Sequence, residues 1–303
     1  MVKLYNIVDS RVTEGVGEKG KIAVYINPDD AERQYLIGRY QIDEHTLLSA
    51  LDPDELSRIE IESDHVAIIL KSPVNYQAEH AFEFLVSSMV MLLFEDTLII
   101  VMAEDLPIFD SKTFSRISRL AEIMLKIVNY SIFRFLEHLR VIDMVSDELG
   151  DKISTSMENT YLLNLFALEK SLVYYQNAIN SNSVLIEKMK IYTQRIGFTR
   201  EDTELLDDIT IENTQCYKQA EIYSNILASM MDARVSIVNN NLNILMKKLT
   251  FITIAIMVPT LVVSAFSMNV VFPFQGHPFA FWIILAIAFT AMGSFLFFWR
   301  LRK

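Results

Sequence analysis

The side chains that could line a path for an ion lie in a segment without formal charge. No Asp, Glu, Lys or Arg occurs between residues 249 and 299. Four hydroxyl or thioether side chains in its first part are spaced by four, three and four residues, which places them on one face of a helix: Thr253, Met257, Thr260 and Ser264. Leu249 extends this face, and Asn243, a further turn or so away, falls near the same side.

Two interpretations fit this polar stripe equally well. The first is close packing between membrane helices, with the hydroxyl groups bonded to backbone carbonyls. The second is a water-lined path, formed when several copies of the helix surround an axis. The stripe by itself favours neither interpretation over the other.

The uncharged run predicts a hairpin of two transmembrane helices, at residues 249–266 and 279–299. Lys247 and Lys248 precede the first helix, and Arg300, Arg302 and Lys303 follow the second. Positive charge at both outer ends places those ends on the cytoplasmic side. We therefore expect a multi-pass protein of the plasma membrane, surrounded by lipid, with both termini in the cytoplasm and the connecting loop outside.

Composition argues against several other classes of function. The 303 residues carry a net charge of −11, which disfavours nucleic acid as a partner because phosphate binding needs basic patches. The single cysteine, Cys216, is predicted to be a small buried side chain in a protein of a reducing compartment. The five histidines lack the spacing of metal ligands, and no nucleophile elbow or phosphate loop is present. We expect no enzyme activity and no cofactor.

The N-terminal part of the chain reads as an α/β domain. Apolar or alternating runs predict strands at 21–27, 65–76, 81–94 and 98–103, the last two joined as a hairpin through 95–97. Segment 43–60 is predicted to be helical, interrupted at Pro53, with Asp52 capping a second helix. The pattern G-x-G-x-x-G at 15–20 is interpreted as a turn, because a strand follows it where a nucleotide fingerprint needs a helix.

Helical periodicity dominates from residue 111 onward. The sequence predicts a helix from Asp110 or Ser111 that breaks at 150–151, and a second helix at 154–195 that ends at Gly197. Thr199 and Asp202 resemble a helix-start cap. A single helix of ~100 Å is then predicted from residue 200 to about 266. A seven-residue apolar spacing along it predicts a seam that packs on neighbouring helices: Ile209, Cys216, Tyr223, Met230 and Ile237.

The chain as a whole resembles the CorA family of magnesium channels. The resemblance rests on this order of elements and on three local matches: VPTLVVSAFSMNV at 258–270, FPFQGHPFAFWIILAI at 272–287 and ALDPDELSRIE at 50–60. It implies an α+β protein that assembles as a homopentamer and conducts divalent cations. The predicted regions are a cytosolic α/β domain at 1–110, a cytosolic helical region at 111–198, a funnel helix at 199–248 and a transmembrane hairpin at 249–303.

The resemblance also assigns roles to individual residues. Ser267, Met268 and Asn269 match the selectivity loop at the pore entrance. A ring of Asn269 amides would offer neutral oxygens to the waters of a hydrated Mg²⁺, an ion that dehydrates reluctantly. Asp208 matches a ligand of a regulatory Mg²⁺. The pore-lining positions include a polar ring near the cytoplasmic mouth and two hydrophobic constrictions: Asn243, Leu249, Thr253, Met257, Thr260 and Ser264.

One departure from the family pattern leaves alternatives open. The signature reads S-M-N, with Ser267 where the family has glycine, and serine adopts some glycine conformations only at a cost. The expected function is Mg²⁺ flux, with Co²⁺ or Ni²⁺ as further ions. The alternatives are a zinc exporter of the same fold and a non-conducting or regulatory CorA-like paralogue.

Overall fold

The computed structural model describes residues 1–15, 20–75, 82–110, 114, 116–155, 160–271, 273 and 276–301. The described chain divides into two compact units, Met1–Met231 and Asp232–Lys303. The first unit contains a seven-stranded sheet and the helices that cover it. The second contains the apolar helical hairpin. The finer division into four regions stays a prediction.

The sheet has the strand order β2-β1-β3-β7-β6-β5-β4. Only β3 and β7 pair in parallel, and every other neighbouring pair is antiparallel. The strands are β1 (Val2–Val8), β2 (Arg11–Glu14), β3 (Ile22–Ile26), β4 (Arg58–Ile61), β5 (Val66–Pro73), β6 (Val86–Leu93) and β7 (Leu98–Met102).

The four predicted strands are confirmed as β3, β5, β6 and β7, and the β6–β7 hairpin is antiparallel as expected. Strand β6 begins at Val86, so the predicted start near residue 81 is too early, and residues 76–81 lie outside the described chain. Residues 16–19 of the predicted turn at 15–20 also lie outside the described chain. Strand β3 follows this segment, as the turn interpretation requires. Strands β1 and β2, at one end of the sheet, were not predicted.

Segment 43–60 does not form two helices. It contains α2 (Glu44–Ser49) and then β4, so the predicted helix after Pro53 is wrong. The Asp52 carboxylate accepts a hydrogen bond from the Asp54 amide at 2.9 Å, which makes a local turn where a helix cap was expected. The backbone of β4 then pairs along β5, and this pairing outweighs the helical propensity of the segment.

Two helices cover the sheet on the face opposite α2. Helix α3 (Leu120–Thr155) begins about ten residues after the predicted start, and Arg116 with φ +61° precludes a helix there. It also continues through Gly150, so the predicted break is wrong. A β-carbon at Gly150 would lie 2.2 Å from the Met230 Cε, and the missing side chain therefore allows close packing.

The helix predicted at 154–195 is divided in the structure, because α3 extends to 155, α4 covers Thr160–Ile191 and a separate short helix follows it. A buried amide ties α4 to the sheet. Asn182, with no exposed surface, accepts hydrogen bonds from the Lys71 amide at 3.1 Å and the Ser57 hydroxyl at 2.7 Å. Its own amide group donates to the Lys71 carbonyl at 2.9 Å. These bonds satisfy polar groups at the end of β5 that burial would otherwise leave unpaired.

The cap signals after α4 are confirmed. A short helix, α5 (Thr193–Ile196), ends at Gly197 with φ +84°, the left-handed conformation typical of a helix C-terminus. The Asp202 carboxylate accepts hydrogen bonds from the Thr199 amide at 2.7 Å and hydroxyl at 2.8 Å. Helix α6 then runs without a break over Arg200–Phe266, as predicted.

The seven-residue seam on α6 is confirmed over its first four positions. Ile209 and Cys216 are fully buried, and Tyr223 and Met230 pack against the same core, whereas Ile237 is exposed. Burial raises the pKa of the Cys216 thiol to about 12, so the group is an inert core side chain at neutral pH.

The sequence analysis missed helix α1 (Asp30–Tyr40). This helix begins with a capping box and covers the other face of the sheet together with α2.

His138 on α3 predicts a pH dependence of stability. Its burial, together with the Arg134 guanidinium, lowers the imidazole pKa to about 4, and its Nδ1 lies 2.7 Å from the Tyr175 hydroxyl. The unfolded chain binds the proton near pH 6.5, so this stabilisation is complete above pH 6.5 and is lost as the pH falls toward 4.

We expect the unfolding free energy to fall by about 3 kcal/mol more in the wild type than in His138→Gln between pH 7 and pH 4. Denaturant unfolding of the full chain in detergent, at a series of pH values, measures this difference. The carboxylates titrate in both proteins, so their contribution cancels in the difference between the two pH profiles. Parallel pH profiles for the two proteins would contradict the assignment.

Candidate functional site

The second unit consists of the end of α6 and helix α7 (Ala280–Leu301). Both helices are long and apolar enough to cross a membrane. An aromatic cluster joins them: the Phe251 ring centroid lies 5.9 Å from that of Phe295 and 5.3 Å from that of Trp299. Because Phe251 lies early in the apolar part of α6 and Trp299 lies late in α7, the two helices run antiparallel.

The face of α6 that α7 covers repeats every three or four residues. Its members are the less exposed side chains of this stretch: Phe251, Ile254, Ala255, Val258, Pro259, Val262 and Phe266. A helix advances by about 100° per residue, so the predicted polar stripe lies about 180° away from this face. Its six predicted positions are accordingly all exposed in the single chain: Asn243, Leu249, Thr253, Met257, Thr260 and Ser264.

Two hydroxyl groups of the stripe bond to their own helix. The Thr253 hydroxyl donates to the Leu249 carbonyl at 2.9 Å, and the Thr260 hydroxyl donates to the Ile256 carbonyl at 2.7 Å. Each hydroxyl therefore uses its only hydrogen on the backbone, which leaves the oxygen free to accept. A face of this kind offers neutral oxygen acceptors and no charge.

The S-M-N segment begins where α6 ends. The Ser267 amide donates to the Val263 carbonyl at 3.1 Å, and the Ser267 hydroxyl donates to the Ser264 carbonyl at 2.8 Å. The Val270 amide then donates to the Met268 carbonyl at 2.9 Å and closes a three-residue turn centred on Asn269. Ser267 is not among the residues with positive φ, so its backbone does not need glycine.

The predicted regulatory ligand, Asp208, lies on an exposed part of α6 in the first unit. Its neighbour Asp207 pairs with Lys190 at 3.0 Å, a contact that the sequence did not indicate. Across the described ranges of the chain, no group of three or more His, Cys, Asp or Glu side chains is arranged to hold a metal ion. The roles assigned to Asp208, the stripe and the S-M-N segment stay predictions.

The sequence analysis did not predict the contact of Phe251 with Phe295 and Trp299. The pairing of Trp299 with Phe251 depends on the antiparallel arrangement of the two helices. The available signal was the four-residue spacing of Phe295 and Trp299 on α7.

The chain is thus a two-span membrane protein with a large α/β domain ahead of its spans. A family model described as CorA-like Mg²⁺ transporter protein matches residues 20–303. The chain belongs to this family of transporters. It is 24% identical over 289 residues to the cobalt/magnesium transport protein CorA of Methanocaldococcus jannaschii, covering 90% of this chain and 88% of that protein.

Solved structures share the fold. The complete structure of the CorA magnesium transporter from Methanocaldococcus jannaschii matches with a TM-score of 0.82 at 23% identity, covering 99% of this chain and 96% of that one. The ZntB cytoplasmic domain from Vibrio parahaemolyticus matches with a TM-score of 0.60 at 13% identity, covering 78% of this chain and 98% of that domain. The expected α+β fold with a long helix and a second membrane helix is therefore confirmed.

The geometry of Ser267 predicts the effect of restoring glycine. Because the serine backbone is unstrained and its hydroxyl caps α6, Ser267→Gly should leave Mg²⁺ flux within about twofold of the wild type. It should lower stability by about 0.5–1 kcal/mol through the added freedom of the unfolded chain. Uptake into proteoliposomes and thermal unfolding measure the two effects.

Ser267→Ala provides the matched control, since it removes the hydroxyl bond to Ser264 and keeps the β-carbon. A large rise in flux for Ser267→Gly alone would mean that serine holds the pore closed, as expected for a silenced paralogue.

Proposed function

We propose that this chain assembles as a homopentamer in which Mg²⁺ flows passively through a central pore lined by α6. The observation that carries this proposal is the position of the polar stripe, opposite the face covered by α7. Polar side chains in a membrane helix face the interior of a bundle or a water-filled cavity. Since α7 does not cover the stripe, copies of the same stripe around an axis supply that interior.

The chemistry of the stripe suits a hydrated divalent cation. Mg²⁺ keeps its waters tightly, and those waters present hydrogen-bond donors to their surroundings. The Thr253 and Thr260 oxygens accept such bonds, because their own hydrogens are engaged by backbone carbonyls. Neutral oxygens stabilise the hydrated ion without trapping it, as rapid permeation requires.

The same reasoning supports a role for Asn269 at the entrance of the pore. It lies exposed in the turn directly after α6, and its side-chain amide is neutral. Five such amides would bind the outer waters of the ion before it enters the stripe. This mechanism needs no cofactor, and Mg²⁺ is the cargo.

Topology follows from charge. Basic residues at both outer ends of the hairpin support a protein of the plasma membrane with its large N-terminal unit and its C-terminus in the cytoplasm. The likeness of the N-terminal unit to a domain described as cytoplasmic supports this orientation. Asp208 would then be one ligand of a regulatory Mg²⁺, with the remaining ligands contributed by a neighbouring subunit.

The entrance assignment is tested by Asn269→Ala. We expect Mg²⁺ uptake into proteoliposomes to fall at least about tenfold, because the hydrated ion loses its neutral acceptors at the mouth, while the oligomer measured by native mass spectrometry is unchanged. Asn180→Ala, an exposed asparagine on α4, is the matched control and should conduct normally. Full uptake by Asn269→Ala would contradict the role. Measuring Zn²⁺ transport in the same assay distinguishes a zinc exporter from a Mg²⁺ channel.

The constriction assignment is tested at Met257. Five thioethers facing an axis form a hydrophobic gate that closes by excluding water. Met257→Ala should therefore raise basal Mg²⁺ flux about threefold or more without loss of the folded oligomer.

Ile252→Ala is the control for this variant. Ile252 is 53% exposed against 61% for Met257, but it lies about 140° away around α6. It should leave flux unchanged. Equal increases in both variants would mean that the helix has no face dedicated to a gate.

A further inference from the structure

The second unit has a charge asymmetry that the proposed pore does not use. Asp232 is the last acidic residue of the chain, although the net charge of the whole is −11. Every charged residue after it is basic: Arg234, Lys247, Lys248, Arg300, Arg302 and Lys303. Of the residues that the structure describes, Lys247, Lys248 and Arg300 flank the apolar helices at the same end of the hairpin.

Lys247 and Lys248 lie on the side of α6 that faces α7, away from the polar stripe. Lys247 precedes Phe251 by four residues, and Lys248 precedes Ala255 by seven, so each shares a face with a residue that α7 covers. Both are exposed because they lie before the covered stretch begins. Leu249, the first position of the stripe, falls on the opposite side. The two ammonium groups are therefore directed outward and do not line the proposed pore.

The end of α7 brings a third cation to this level. Trp299 packs on Phe251 at 5.3 Å, and Arg300 directly follows it as an exposed side chain. Lys247, Lys248 and Arg300 thus border an aromatic cluster of Phe251, Phe295 and Trp299. Within this unit the nearest acidic residue along α6 is Asp232, 15 residues or ~22 Å from Lys247, so the unit supplies no local counter-charge.

We propose that Lys247, Lys248 and Arg300 form a binding site for the headgroup of an anionic phospholipid in the cytoplasmic leaflet. Aromatic rings such as Trp299 favour the depth at which acyl chains meet headgroups, and cations at the same end of the helices reach the phosphates. The lipid supplies the negative charge that this end of the hairpin lacks. The site depends on the packing of α6 against α7 and on no property of the pore.

The two tryptophans of the chain allow a local test. Trp299 lies at the basic cluster, and Trp282 lies at the opposite end of α7. In the Trp282→Phe background, fluorescence of Trp299 is quenched by lipids with brominated acyl chains that bind beside it. The full-length protein is reconstituted in vesicles of phosphatidylcholine and phosphatidylglycerol, with bromine on one lipid or the other at equal mole fraction.

We expect brominated phosphatidylglycerol to quench Trp299 with at least about fivefold higher apparent affinity than brominated phosphatidylcholine, because juxtamembrane cations attract anionic headgroups. The preference should weaken at high salt, because exposed charges are screened. Combining Lys247→Gln, Lys248→Gln and Arg300→Gln should abolish it.

Three controls separate this site from general charge effects. Combining Arg11→Gln, Lys188→Gln and Lys218→Gln changes net charge equally at exposed positions in the first unit and should retain the preference. The Trp299→Phe protein, which reports from Trp282, should show none. Inorganic phosphate should compete no better than chloride at equal ionic strength, because the bound group is a lipid. Equal quenching by the two lipids, or a preference that survives the first triple variant, would overturn the proposal.

Discussion

The requirement that every backbone polar group in a bilayer be hydrogen-bonded internally governs the design of this protein. Helix α6 meets it as one continuous helix over Arg200–Phe266, in which Pro259 has no amide hydrogen to donate, and the two compact units draw on the same helix. In the first unit α6 contributes Ile209 and Cys216 to a core shared with α3, α4 and the sheet. In the second it presents a polar stripe on one face and a surface for α7 on the other.

Within the membrane the two faces of α6 divide two tasks by side-chain chemistry. Apolar and aromatic groups bury against α7, where Phe251 meets Phe295 and Trp299. Hydroxyl groups on the opposite face bond to their own helix and keep oxygen acceptors free. A carboxylate on that face would bind a divalent cation more tightly and release it more slowly, whereas neutral oxygens suit a hydrated ion in transit.

The first unit is held together by buried polar contacts as well as by its apolar core. Asn182 satisfies both backbone groups of Lys71, and Ser131 on α3 donates to the same Lys71 carbonyl at 2.7 Å. These bonds set the positions of two long helices against the end of β5. They also explain the extended path near Ser57, since its hydroxyl and amide both bond to α4.

The sequence alone determined the features that depend on local or strongly periodic signals. The uncharged run predicted the membrane hairpin, helical periodicity predicted α6, and Gly197 with Thr199 and Asp202 marked the boundary before it. Features set by distant partners were decided only by tertiary structure. Segment 58–61 became a strand because β5 lay beside it. The outward position of the polar stripe was decided by α7, because which face of a helix is covered depends on where its partner packs.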